Sequence, residues 1–242
     1  MSYMIDLHNL SIGYKGRDLL KGADSHFEKG ELTALIGRNG TGKSTLLRAI
    51  AGLNPNYTGE ILVKGENLKG ISNQKLAHLV SFVNTQRTRI PNMKCRDVVG
   101  MGRAPYTDWI GRLSRDDQEI VERSLELIGM TSFADRTLDT LSDGECQRIM
   151  IARCLAQSTP VILLDEPTSF LDLPTRYELV GLLHKLAAEE GKTILFSTHE
   201  LEIALSKTDK IALLADQTLY NLSPEEMKSS GLIEAKFGDV LR

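Results

Sequence analysis

Residues 32–44 read Leu32-Thr33-Ala34-Leu35-Ile36-Gly37-Arg38-Asn39-Gly40-Thr41-Gly42-Lys43-Ser44. The first five form a compact apolar run of strand length, the next eight satisfy G-x-x-x-x-G-K-[ST], and residues 44–51 are helix-compatible. The order is strand, loop, helix. The loop glycines let the backbone curl until successive N–H groups point into one concavity, and the helix that follows sets its positive dipole end beneath it. A lysine and a hydroxyl at the end of such a loop suit a nucleoside triphosphate. In that reading Lys43 bridges the β- and γ-phosphates and the Ser44 hydroxyl ligates Mg²⁺.

Working outward, Val161-Ile162-Leu163-Leu164 and Thr193-Ile194-Leu195-Phe196 are two more apolar runs. Their continuous rather than alternating character suits a parallel sheet covered on both faces. Between them residues 176–190 place Leu179, Leu183, Leu186 and Ala187 at helical spacing, which predicts a βαβ crossover. Asp165 and Glu166 end the first of these strands, where the carboxyl edge of a parallel sheet meets the phosphate loop. There Asp165 can hold the Mg²⁺ shell through water, and Glu166 can polarise an attacking water as general base. Before the loop, Ile5, Leu7, Asn9 and Ile12 share one alternating phase and predict a strand, and residues 23–27 predict a second. Beyond residue 91 the strand signals fade. Ile120, Ser124, Leu125, Leu127 and Ile128 mark an amphipathic helix over residues 116–129, and a helical lobe over about residues 91–157 is expected between two sheet strands. The tail returns to strand at residues 211–214 and to helix from Pro224.

The 242 residues suit one large domain with an inserted lobe. At 41% hydrophobic and 25% charged residues the chain is neither disordered nor low in complexity. Lys and Arg total 29 against 32 Asp and Glu, and a net charge of −3 gives no global electrostatic case for nucleic acid, so no nucleic-acid partner is expected. Cys95, Cys146 and Cys154 are odd in number and lack C-x-x-C spacing, which indicates neither a disulfide framework nor a zinc site. No apolar run approaches the roughly 18 residues of a membrane span, and residues 1–15 lack the basic-then-apolar order of a secretion signal. A cytoplasmic location is expected, with membrane contact through a partner.

Leu141-Ser142-Asp143-Gly144-Glu145-Cys146-Gln147-Arg148 resembles the L-S-G-G-[QE] signature of ATP-binding-cassette (ABC) ATPases. The remaining motifs follow that family's order and spacing over residues 4–238. The resemblance implies a P-loop NTPase fold of class α/β, a RecA-like parallel sheet core with an antiparallel β-subdomain and an inserted α-helical subdomain, all within one domain spanning residues 1–242. It implies ATP held by Tyr14, which stacks on adenine, and by Gly37, Arg38, Asn39, Gly40, Thr41, Gly42, Lys43, Ser44 and Thr45. It implies that Gln86 senses the γ-phosphate and Mg²⁺, that Ser44, Gln86 and Asp165 form the metal set, and that Glu166, Gln86 and His199 are catalytic. Ser169-Phe170-Leu171-Asp172 matches the loop that crosses to a second subunit. His199, 33 residues beyond Glu166, matches the switch histidine. Ser142 and Glu145 form an S-x-x-E capping box that opens a helix running to about Gln157, a ready anion site, although any helix can carry such a cap. In a head-to-tail homodimer of this family Ser142, Gly144 and Glu145 face the γ-phosphate held by the other copy. Asp143 departs from the family, which usually has glycine there.

Val98-Val99-Gly100-Met101-Gly102-Arg103-Ala104-Pro105-Tyr106, then Gly111-Arg112-Leu113-Ser114 and Asp117, resemble a stretch of the ATPases of ferric-siderophore, haem and vitamin B12 importers. That likeness implies integral membrane permease subunits as partners, a periplasmic or lipid-anchored substrate-binding protein as an indirect one, and a place on the inner face of the cell membrane. The basic residues Arg87, Arg89, Lys94, Arg96 and Arg103 read as a solvated face or, by resemblance, as part of the segment leading into the permease-docking lobe and able to meet anionic lipid. An ABC ATPase of another transporter type, exporter or other importer, and a soluble ABC-type assembly ATPase remain alternatives.

Overall fold

The structure is a computed structural model that describes residues 3–14, 16–84 and 91–238, with Tyr14 described by its backbone alone. β1 (Ile5–Tyr14) and β2 (Arg17–Phe27) form an antiparallel hairpin. Leu7, Leu10 and Ile12 are buried, whereas Asn9 is exposed at φ 45° beside a register shift. The extra residue is a bulge, so the inward phase resumes at Leu10 and Asn9 does not belong to the alternation expected of it. β3 (Leu32–Ile36) leads through the glycine-rich loop into α1 (Lys43–Ile50). β4 (Tyr57–Val63) pairs with the other side of β1, and β5 (Glu66–Asn67) completes a sheet of order β2-β1-β4-β5.

The chain continues through α2 (Asn73–Ala77) to β6 (Val80–Val83). Helices α3 (Cys95–Gly100), α4 (Arg115–Leu127) and α5 (Asp143–Ala156) follow, linked by short 3-10 turns. Then come β7 (Val161–Leu164), α6 (Leu173–Glu190), β8 (Thr193–Ser197), α7 (Leu201–Lys207), β9 (Lys210–Ala215), β10 (Thr218–Leu222), α8 (Pro224–Ser229) and α9 (Leu232–Phe237). The second sheet has the order β10-β9-β3-β8-β7-β6, parallel except at β10. Its side chains divide by strand period: Ala34, Ile162, Leu164, Ile194 and Phe196 join one core with α3 to α7, while Leu35, Val161, Leu163 and Leu195 join another with α1 and the antiparallel sheet. All nine are fully buried, which is why these strands read as unbroken apolar runs.

Of the five basic residues, Lys94 and Arg96 reach the surface as a solvated face would, held in ion pairs, and Arg103 departs from that reading. Arg87 and Arg89 lie outside the described residues. Lys94 pairs with Asp135 at 3.3 Å, and Arg96 spans Glu122 and Asp135 at 3.0 and 3.1 Å. Arg103 is buried, its Nε 2.7 Å from Asp117 and its Nη1 2.9 Å from the Ala156 carbonyl, with its guanidinium 3.8 Å from the centre of the Tyr106 ring. The Tyr106 hydroxyl donates to the Gln157 carbonyl, whose side-chain amide donates to the carbonyls of Ala77 and Val80. Asp117 also closes the capping box of α4 with Ser114. Arg103 and Asp117 stand 14 positions apart, a separation that carries no pairing signal in the sequence. The G-R-x-P-Y and S-x-x-D pieces thus form an internal lock joining α4, the end of α5 and the start of β6.

Candidate functional site

β3 delivers the chain to Gly37 on the carboxyl side of the sheet, and the backbone there runs so close to β9 that a Cβ at Gly37 would collide with the Leu214 carbonyl oxygen. Gly42 caps α1 at φ 111°, a left-handed conformation that a side chain resists, with the Leu19 side chain pressed against it. Thr41 folds back to donate to the Arg38 carbonyl through both N–H and Oγ1. Lys43 is buried, and its ammonium donates to the carbonyls of Gly37 at 2.8 Å and Arg38 at 3.3 Å. Burial lowers its pKa below the ordinary lysine value, against an opposing pull from Glu166 and Asp165. Arg38, Asn39 and Gly40 are exposed on the rim. A cleft of about 580 Å³ opens beside the loop, lined by Gly13, Arg17, Ser44, Thr45, Arg48 and Asn54. It adjoins Tyr14, the last residue of β1, whose side chain lies outside the described residues.

The acid pair reaches this loop from β7. Ser44 Oγ donates to Asp165 Oδ1 at 2.9 Å, so residues 121 positions apart meet at the sheet edge. Asp165 Oδ1 also accepts from the Ser197 hydroxyl at 2.7 Å, and that hydroxyl accepts the Glu166 N–H at 2.8 Å. Glu166 holds φ 49°, and its Oε2 accepts from Ser169 at 3.0 Å. His199, two residues past β8, is exposed and makes no hydrogen bond to a described residue, so the structure does not join it to Glu166. Its neighbour Glu200 is tied to Thr168 at 3.0 Å and to Arg176 at 3.2 Å, which fastens the segment after β8 to the segment after β7. Gln86, three residues past β6, lies outside the described residues. Ser197, Thr168 and Glu200 are the members that the sequence reading does not single out. A hydroxyl directly after the apolar Ile194, Leu195 and Phe196 is the one signal it offers for Ser197.

Ser142 caps α5 with the reciprocal bonds expected: Glu145 N–H donates to the Ser142 hydroxyl, and Glu145 Oε2 accepts from Ser142 N–H and Oγ at 2.8 Å each. The Ser142 backbone N–H is the main reason the Glu145 carboxyl titrates below its ordinary range. Asp143 is half-buried in the first turn, and Gly144 packs against Thr175 and Leu171 at the start of α6. Among the described residues no hydrogen bond joins Ser142, Gly144 or Glu145 to residues 37–45 of the same chain.

Ser44 and Asp165 offer hard oxygen donors, and no group of three or more His, Cys, Asp or Glu side chains able to hold a metal ion occurs among the described residues. Such a sparse oxygen set, leaving most positions to water and phosphate, fits Mg²⁺ rather than a cation that demands a full protein cage. No helix among the described residues is long and apolar enough to cross a membrane.

The family model described as ABC transporter matches residues 20–169. This chain belongs to the ABC transporter family. It is an ABC-type ATPase, and ATP is its substrate. An ABC transporter ATP-binding protein of Methanocaldococcus jannaschii, itself uncharacterised, is 40% identical over 87% of this chain and 73% of its own length. The probable siderophore transport system ATP-binding protein YusV of Bacillus subtilis is 34% identical over 96% of this chain and 85% of its own. Among solved structures, an inward-facing ABC transporter assigned to the metal-chelate type superposes with a TM-score of 0.85 at 28% identity, covering 98% of this chain and 89% of that one. A dimeric ATP-binding cassette in a post-hydrolysis state, bound to ADP and Pi, gives 0.77 at 28% identity, covering 91% and 99%. The expected α/β P-loop NTPase fold with its mixed sheets agrees with these neighbours.

Proposed function

We propose that this ABC ATPase drives import of an iron chelate, siderophore or haem, or of a cobalamin-like compound through a membrane permease on whose cytoplasmic side it docks. In this reading a periplasmic or lipid-anchored binding protein delivers the substrate. The observation that carries the chemistry is the meeting of Ser44 with Asp165 at 2.9 Å, which joins the phosphate loop to the acid pair. The likeness to a siderophore system ATPase and to a metal-chelate transporter supports the substrate class.

In the working site Tyr14 stacks on adenine, the backbone N–H groups of residues 37–45 surround the phosphates, and Lys43 moves its ammonium from the Gly37 and Arg38 carbonyls to the β- and γ-oxygens. Ser44 and Gln86, with Asp165 through water, would hold Mg²⁺, which would offset phosphate charge when bound. Glu166 accepts a proton from the water that attacks the γ-phosphorus as the bond to ADP breaks, and His199 hydrogen-bonds the γ-phosphate to keep that water in line. Ser142, Gly144 and Glu145 of a second copy close over the same phosphate with the capped end of α5. The exposed side chains of Phe170, within the crossing loop, and Leu173, directly after it, support such an interface.

The test is uptake. Glu166→Gln, which keeps ATP binding but lowers turnover by at least ~10²-fold, is expected to abolish accumulation of labelled ferric siderophore, haem or cobalamin in cells carrying it as their sole copy. Unchanged uptake of all three would contradict the proposal, as would a purified complex with the permease whose ATPase rate ignores the loaded binding protein.

A further inference from the structure

We propose that Ser197 is a positioning residue for ATP hydrolysis, one that fixes the orientation of both Asp165 and Glu166. The inference rests on the ATPase reading of the site and adds a residue to it. β8 lies between β3 and β7, so its last residue stands between the phosphate loop that follows β3 and the acids that follow β7. Ser197 is that residue and is fully buried.

Its hydroxyl has a single proton. The Glu166 N–H occupies a lone pair at 2.8 Å, and the proton is directed to Asp165 Oδ1 at 2.7 Å. One side chain therefore holds the carboxylate of the first acid and the backbone of the second. Glu166 needs that hold, because φ 49° is a conformation that non-glycine residues keep only when their surroundings impose it. Asp165 Oδ1 takes a second bond from Ser44, so the carboxylate is pinned through one oxygen, and Oδ2 accepts no hydrogen bond from a described residue. That leaves Oδ2 for the water shell of the metal. The backbone turn at Glu166 sets where its carboxylate points, and Ser169 completes the aim at Oε2. Packing alone does not explain a hydroxyl here, since the preceding Ile194, Leu195 and Phe196 are apolar and the strand's other hydroxyl, on Thr193, is likewise committed to a hydrogen bond, to the Glu28 carbonyl.

Ser197→Ala removes both bonds while adding no atoms. We expect its kcat for ATP to fall roughly 10- to 100-fold with KM changed by no more than about twofold, the pattern of a lost transition-state alignment. A readout free of turnover comes from the Glu166→Gln background: the Mg²⁺ concentration giving half-maximal ATP-driven dimerisation should rise about tenfold on adding Ser197→Ala, consistent with a looser carboxylate. Ser197→Thr, which keeps the hydroxyl on a strand residue, should restore both quantities to within about threefold of wild type. Wild-type kcat and Mg²⁺ midpoint in Ser197→Ala would overturn the inference, as would equal impairment of the Ala and Thr variants. Lys43→Ala and Glu166→Gln are measured alongside. If those two hydrolyse ATP normally, the ATPase site itself is misassigned; if they are inactive while Ser197→Ala is not, only the role of Ser197 falls.

Discussion

Lys43 holds its ammonium on two backbone carbonyls of its own loop, in a buried position that depresses its pKa while Glu166 and Asp165 pull the other way. Phosphate oxygens would replace those neutral acceptors with charged ones, and hydrogen bonds to charged groups contribute about 1.5–3 kcal/mol. Lys43→Ala should therefore weaken Mg-ATP binding about 10- to 100-fold in a fluorescent-nucleotide titration; unchanged affinity would contradict its contact with the phosphates. Lys43, Ser44, Asp165 and Glu166 are legible in the sequence because residue type and spacing coincide with one chemistry. Ser197 is not, because its partners stand 31 and 32 positions away and are found through strand order alone.

At the scale of elements, the lock of Arg103 on Asp117 fixes how α4 sits on the end of α5. The two side chains are 7% and 9% exposed, so removing either leaves a buried charge without its partner, a loss of about 3–5 kcal/mol. Asp117→Asn is expected to lower the melting temperature and to make the lobe the first region to open in hydrogen exchange; an unchanged melting curve would contradict the lock. The Ser114 hydroxyl first, and Arg103 after it, hold the Asp117 carboxyl below the ordinary aspartate range. Its stabilisation is therefore complete above the unfolded value, near ~3.9, and fades as pH falls through the lower folded value, so Asp117→Asn should be less acid-sensitive than wild type. Parallel strands buried on both faces announce themselves as apolar runs, α4 by its amphipathic spacing and α5 by its capping box. β4, β6 and β10 escape notice because they are short, half-exposed or carry polar residues such as Ser81 and Asn221. The bulge at Asn9 breaks the period that would have given the full length of β1.

For the whole molecule, the signature is built within the chain, but its Ser142, Gly144 and Glu145 make no hydrogen bond to residues 37–45 of that chain among the described residues. The loop proposed to cross to the second copy begins at Ser169, bonded to Glu166, and Leu171 within it packs beside Gly144. Signature and acid pair are thus linked through that loop in one copy, and two copies placed head to tail would give two equivalent sites. The central claim is that each ATP is enclosed by the phosphate loop of one chain and the signature of another. The most direct measurement is the mass in solution, with Mg-ATP, of Lys43→Ala and Ser142→Arg variants in the Glu166→Gln background, alone and mixed in equal amounts. Each alone should remain monomeric, since one lacks the cation that holds ATP and the other blocks the surface that closes over it. The mixture should regain dimers holding one ATP per two chains, because the Ser142→Arg chain supplies an intact phosphate loop and the Lys43→Ala chain an intact signature. Dimerisation of the Ser142→Arg variant alone, or a mixture that stays monomeric, would contradict the composite site.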